Sequence, residues 1–355
     1  MSKLRAGDWV EILSKEEILG TLDARGRLDD LPFMPQMFQY CGQRFKIFQR
    51  AHKTCDTIDS GRARKVPEGI HLNLRCDGKA YGGCQAACLI FWKEAWLKPV
   101  DGRELSQAPR AAGTGCSEED VARATRADDP RLGREPCYSC QATELLNFTT
   151  PLPWWDARQY VEDYTSRNAT FGRIVRGFIY LGYYYGTLAK SVKYGGPARW
   201  LYDRFQALWG GLPYPRHRGT IPAGQAAPVA RLNVQPGDFV KIKPYEEILK
   251  TLNTDNKNRG LHFDGEMAPY CGGTYRVRAR VERFIDEKTG YMRRLKTPAV
   301  ILDGVVCRSR YSNHRMFCPR AIFAWWREIW FERASDSAEL QTVEEIGDCP
   351  RRRAA

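Results

Sequence analysis

Short runs of alternating apolar and polar residues appear near both ends of the chain, and they predict strands. Gly7-Asp8 leads into Trp9-Val10-Glu11-Ile12, a four-residue alternation that predicts a half-buried strand. Glu16 to Leu22 follows helical spacing for one or two turns, and Phe45-Lys46-Ile47-Phe48 and Ile70 to Leu74 return to the strand pattern. Asp77-Gly78 is a turn signal. Towards the other end, Tyr275-Arg276-Val277-Arg278 alternates as far as Phe284, and Ala299 to Val306 forms a further apolar run.

The two regions are copies of one another. A constant offset of 230 aligns Leu4–Asp56 with Val234–Asp286 without a gap, and 18 of those 53 positions are identical. Chance from composition would give about three. The block Glu16-Glu17-Ile18-Leu19 recurs as Glu246-Glu247-Ile248-Leu249, and Tyr40-Cys41-Gly42 as Tyr270-Cys271-Gly272. After small length changes Cys76 falls opposite Cys307, and Cys84 opposite Cys318. Trp92 and Trp326 each follow eight residues after the latter pair. Copy one therefore covers 1–101 and copy two 232–334, with an extension at 102–150, an aromatic helical segment at 151–211, a linker at 212–231 and a tail at 335–355. Four or five short strands per hundred residues, ending in tryptophan-rich stretches that close the sheet, suggest a small barrel.

The opening Gly-Asp-aromatic-Val-charged-Ile resembles the entry strand of SH3-like barrels. With its Leu31-Pro32-Phe33-Met34-Pro35 and Tyr40-Cys41-Gly42 blocks, the longer pattern resembles an uncharacterised bacterial family with a duplicated SH3-like-barrel module. That resemblance implies a fold and carries no function. The expected fold class is α+β, mainly β: two SH3-like small barrels flanking a helical middle segment.

In the middle, Thr170 is placed to cap a helix with Phe171, Ile174, Val175, Phe178 and Ile179 on one face and Arg173, Arg176, Lys190 and Lys193 around it. A second helix is expected from Pro197, burying Trp200, Leu201, Phe205, Leu208 and Trp209. These helices read either as an aromatic hairpin packed on the barrels or as a basic amphipathic surface for a membrane or a partner.

No apolar run reaches the roughly 20 residues of a membrane span. The first residues, carrying Asp8 and Glu11, do not read as a secretory leader, so a cytoplasmic location is expected. A net charge of +13 favours anionic partners. Twelve cysteines change the picture most, because clustered thiols in a reducing compartment serve metal binding or thiol chemistry. The candidate ligands are Cys41, Cys55, Cys76, Cys84, Cys88, Cys116, Cys137, Cys140, Cys271, Cys307 and Cys318, with Cys349 in the tail. Cys137-Tyr-Ser-Cys140 has knuckle spacing. Cys84 and Cys88 would align if Gln85 to Ala87 were helical, and Cys76, Cys84 and Cys88 would make a three-point site with Cys41 or Cys55 as the fourth ligand. Zinc or an iron–sulfur cluster suits such ligands. His71 is the nearest histidine for a mixed site.

No phosphate loop, nucleophile elbow or His-Glu-x-x-His motif is present; Cys55, near Lys53, is the one candidate nucleophile, and nothing in the sequence supplies its base. The recurrent acids Asp8/Asp238, Glu16/Glu246, Glu17/Glu247, Asp56/Asp286 and Glu94/Glu328 fit caps and turns better than catalysis. The leading expectation is a non-catalytic binding or scaffold protein with cysteine-ligated metal and a protein partner or anionic surface. The alternatives are an iron–sulfur or thiol-dependent enzyme and a nucleic-acid-binding protein, the latter resting on Arg62, Arg64 and Lys65 opposite Arg293, Arg294 and Lys296.

Overall fold

The computed structural model describes residues 3–102, 115–127, 136–187, 195–208, 218–222, 224–312 and 314–334. The chain forms two compact units. One comprises Met1–Val175, Arg283–Arg294 and Ser312–Ile322; the other comprises Arg176–Glu282, Leu295–Tyr311 and Phe323–Ala355. The fold mixes helices with several small antiparallel sheets.

In the first unit the strand Trp9–Ile12 lies between Leu97–Pro99 and Arg44–Lys46, with Val10 opposite both Pro99 and Phe45. Val10 and Ile12 are buried while Trp9 is exposed, the period-2 pattern read from the sequence. The helix Lys15–Leu19 starts at a capping box: the Glu17 amide donates to Ser14 Oγ (3.2 Å), and the Ser14 amide donates to Glu17 Oε2 (2.8 Å). Two further three-stranded sheets join Thr150–Pro151, Ala63–Lys65 and Lys53–Cys55, and Gln49–Arg50, Gly69–His71 and Trp92–Lys93.

The repeat is visible in the elements. Adding 230 to Trp9–Ile12, Lys15–Leu19, Arg27–Leu28 and Leu31–Pro32 gives Phe239–Ile242, Tyr245–Leu249, Lys257–Asn258 and Leu261–His262, each of which is an element of the same type. In the second unit Phe239–Ile242 again lies between a late strand, Phe331–Arg333, and the strand starting at Thr274. Side chains repeat as well. Trp96 Nε1 donates to Thr21 Oγ1 (3.0 Å), and Trp330 Nε1 donates to Thr251 Oγ1 (2.9 Å). Each of these tryptophans is fully buried and meets a phenylalanine edge-on, Phe33 at 5.2 Å and Phe263 at 5.4 Å. An ion pair is conserved between the copies too, Arg50–Glu94 and Arg280–Glu328. The copies differ after that point. Thr274–Ile285 and Met292–Leu302 form long paired strands, whereas the matching stretch of the first copy breaks into strands of two or three residues.

Of the recurrent acids, Asp8/Asp238, Asp56/Asp286 and Glu17 take cap or turn roles, whereas Glu94 and Glu328 are buried ion-pair partners of Arg50 and Arg280. Asp56 accepts from the amides of Ile58, Asp59 and Ser60, and Asp286 from those of Lys288 and Thr289.

The middle segment is helical, as expected, over Arg158–Thr165, Phe171–Thr187 and Gly195–Leu208. Thr170 Oγ1 accepts from the Arg173 amide (3.3 Å) as a cap. The predicted buried faces are corrected. Phe171, Val175, Phe178 and Ile179 are exposed, and among the residues of that helix whose burial is described Gly177, Tyr180 and Leu181 are buried. On the last helix Trp200, Leu201 and Leu208 are exposed. Spacing identified a stripe but not its partner. Lys190, Lys193, Trp209, Cys349 and the tail lie outside the described residues. No helix among the described residues is long and apolar enough to cross a membrane.

Candidate metal centre

Four cysteines of the first unit, Cys76, Cys84, Cys88 and Cys140, line one cavity of about 40 Å³ with Met34, Tyr81, Phe91 and Ile285 as its apolar wall and Arg320 and Glu287 as its charged side chains. Backbone hydrogen bonds set the frame. Cys76 donates its amide to Cys88 O (2.9 Å) beside the Arg75–Leu89 bridge, so these two cysteines are cross-strand neighbours. Between them the chain turns through Lys79–Tyr81, with Tyr81 and Gly83 donating to Gly78 O (3.0 and 2.9 Å) and Cys84 donating to Tyr81 O (3.1 Å). Cys140 arrives from the extension. Its amide donates to Thr143 Oγ1 (2.8 Å), and the Glu144 amide returns to its carbonyl (3.0 Å).

Two of the sulfurs already accept hydrogen bonds. Gln36 Nε2 donates to Cys76 Sγ (3.3 Å), and the Ile285 amide donates to Cys84 Sγ (3.4 Å). Donors of this kind stabilise a thiolate and orient a ligating sulfur. Burial pushes the Cys76 thiol up to about 12 and the Cys140 thiol up to about 11, and it holds Cys88 well above the ordinary range, with neighbouring thiols adding to the effect. Without a cation these buried thiols stay neutral at pH 7 and are poor nucleophiles. A soft dication would supply the compensating charge and release protons as it bound. Among the described residues, no three His, Cys, Asp or Glu side chains converge closely enough to hold an ion as they are placed. The four thiols share a space rather than a point.

Gly78 fixes this loop. Its φ is +69°, and a Cβ there would lie 1.9 Å from Cys84 O and 2.8 Å from Cys84 C. Gly78→Ala is expected to cost about 2–4 kcal/mol, combining left-handed strain with a backbone collision. Gly42 has a similar φ of +73° with nothing within 4 Å, so Gly42→Ala should cost only about 1–2 kcal/mol. Urea unfolding of the two variants measures the difference.

The remaining predicted ligands are dispersed. Neither Cys41 nor Cys55 lines this cavity; the fourth cysteine there is Cys140. Cys41 stands beside Lys15 and Glu16, and Cys55 is hydrogen-bonded to Cys318. The knuckle is split, because Cys137 donates to Thr289 O (3.3 Å) while Cys140 enters the cavity. Cys116 contacts Ser117 O (3.5 Å) and lies near Asp120. Cys271 sits over Met267 O (3.9 Å), and Cys307 lies 3.6 Å from Ser309 Oγ. Gln85 to Ala87 does not meet the helical condition for aligning Cys84 and Cys88; the segment is irregular and Ala87 has φ +49°. His71 is a core residue, with Nδ1 donating to Ile90 O (2.8 Å). Of the basic residues considered for nucleic acid, Arg64 is engaged with Thr149 and Leu146, and Arg293 faces Asp286 (3.5 Å).

A second polar group lies buried in the same unit. Lys53 and Asp163 are both fully buried, with Nζ 2.5 Å from Oδ2, and His52 Nε2 is 3.3 Å from Asp163 Oδ1. Tyr160 and Phe317 present their rings to the Lys53 ammonium at 5.2 and 5.6 Å. No sequence signal marked this group or Arg320, since lysine, arginine and aspartate are ordinarily surface residues. Comparison with protein-family models, curated proteins and solved structures gives no match to this chain.

Proposed function

We propose that this chain is a non-catalytic binding protein with two SH3-like modules, stiffened by a thiophilic metal held by Cys76, Cys84, Cys88 and Cys140. The observation that carries this reading is the meeting of four thiols around one cavity, drawn from positions 64 residues apart in sequence. Zinc is the first candidate, because four cysteines with no open position make a closed structural site. An iron–sulfur cluster takes the same ligands and is separated by colour and labile sulfide. The net charge of +13 and the exposed apolar helix residues support a protein partner or an anionic surface as the bound object, in a cytoplasmic setting.

Elemental analysis and a visible spectrum of protein purified without oxygen test the metal. About one equivalent per chain is expected, and Cys84→Ser or Cys140→Ser should lose most of it, while Cys271→Ser keeps it. Metal-free protein, or equal retention in all three variants, would overturn the reading. Affinity should fall as pH drops, because protons compete for thiols whose own affinity for protons is raised by burial.

A further inference from the structure

Cys55 and Cys318 face each other as a hydrogen-bonded pair of sulfurs, apart from the four thiols of the cavity. They are brought together from strand Lys53–Cys55 and the stretch Ser312–Ile322, both within the first unit. The pair lies in a positive setting. The buried Arg320 guanidinium donates to Cys55 O (3.2 Å) and Thr57 Oγ1 (2.6 Å), and Arg315 is close. Glu287, an acid beside them, is occupied by Arg320 Nη2 (3.1 Å). On the other side the Lys53 ammonium acts on Cys318.

We propose that Cys55 and Cys318 are a redox dithiol that a small hydroperoxide closes to a disulfide. The Arg320 guanidinium held at the Cys55 carbonyl, with the hydrogen bond between the sulfurs, distinguishes the roles. The Cys318 thiol donates to Cys55, and this bond, with Arg320 and Arg315 adding to it, holds Cys55 below the ordinary thiol range against the opposing effect of burial. Cys55 is therefore the nucleophile and Cys318 the resolving thiol. The Cys55 thiolate attacks the peroxide; an S–O bond forms, the O–O bond breaks, and hydroxide leaves and takes up a proton as water. The Cys318 sulfur then attacks the Cys55 sulfenic acid; the S–S bond forms, the S–O bond breaks, and a second water leaves. Two thiols are oxidised and one hydrogen peroxide is reduced to two waters. Burial chooses the oxidant. At 3% and 6% residue exposure the two cysteines are closed to a bulky disulfide. A resolving thiol already in contact also protects the sulfenic acid from further oxidation.

This inference is independent of the metal reading. The test treats the full chain, with whatever metal it carries, with one equivalent of hydrogen peroxide and maps its peptides without reduction. The expected result is a Cys55–Cys318 cross-link reversed by dithiothreitol, with no cross-link after glutathione disulfide. In Cys318→Ser, dimedone present as the protein is denatured after the peroxide pulse should label Cys55; in Cys55→Ser, Cys318 should stay unlabelled. No cross-link in the parent, a cross-link through another cysteine, an equal response to glutathione disulfide, or dimedone on Cys318 would each overturn it. Metal content, measured on the same samples, should match the parent in both variants, so loss of one result leaves the other readable.

Discussion

Asp163→Ala is expected to destabilise the first unit by about 3–5 kcal/mol, because it leaves the Lys53 ammonium buried with no counter-charge. Both residues are fully buried and their charged atoms are 2.5 Å apart. Gln159 Oε1, at 3.3 Å, and the faces of Tyr160 and Phe317 remain, but they supply only dipoles and quadrupoles. Burial already pushes Lys53 below the ordinary lysine range against the pull of Asp163. Without the carboxylate the depression deepens, and the sign follows from linkage. A folded-state value depressed below the unfolded one gives stability that is complete above the unfolded value and falls as pH drops. The variant should therefore gain stability from pH 7 to 10 more steeply than the parent. Lys53→Met with Asp163→Leu should recover most of the loss, since it removes both buried charges. Urea unfolding followed by tryptophan fluorescence measures all three, and a near-neutral Asp163→Ala would show that the ion pair contributes little.

Acid should weaken the same unit through His71. Burial pushes its pKa down to about 3, with Arg75 and Arg320 contributing, against the hydrogen bond to Ile90 O. Nδ1 carries the proton donated to Ile90, and Nε2 is buried with no hydrogen-bond partner. Protonating Nε2 would create a buried, unanswered cation beside two guanidiniums. The unfolded chain takes up that proton near 6.5 and the folded chain only near 3, so stability is intact above 6.5 and falls by about 1.4 kcal/mol per pH unit below it. The total would reach about 5 kcal/mol at pH 3. His71→Phe gives up the Ile90 bond, at roughly 1 kcal/mol, and should show a shallower slope between pH 6.5 and 4. Equal slopes in parent and variant would rule out His71 as the acid-sensitive group.

The repeat was legible because its signals are local. The capping box of Ser14 and Glu17, the turns at Asp56 and Asp286, and the alternation at Trp9–Ile12 all act within five residues. The same local preferences therefore produce the same elements 230 positions later. The buried tryptophans that end each copy were legible for the same reason, as large side chains just ahead of a strand.

Three of the four cavity cysteines could be grouped from Cys76, Cys84 and Cys88, which lie within thirteen consecutive positions. The fourth could not. Sequence pointed to Cys41 or Cys55 and set Cys140 in a knuckle with Cys137, and only the path of the extension brings Cys140 to the cavity. Repeat logic also misled at Cys318. It aligns with Cys84, yet it faces Cys55 because Ser312–Ile322 packs in the first unit. Spacing found the apolar stripes but left them open between packing and docking, with burial expected on the second helix; Phe171, Val175, Phe178, Ile179, Trp200, Leu201 and Leu208 are exposed. The sequence by itself thus determined the elements, their duplication and the supply of thiols, since these follow from neighbours along the chain. The tertiary structure alone decided which sulfurs meet, which charges are buried and which faces remain open, because those depend on contacts between residues tens to hundreds of positions apart, for which local propensity holds no information.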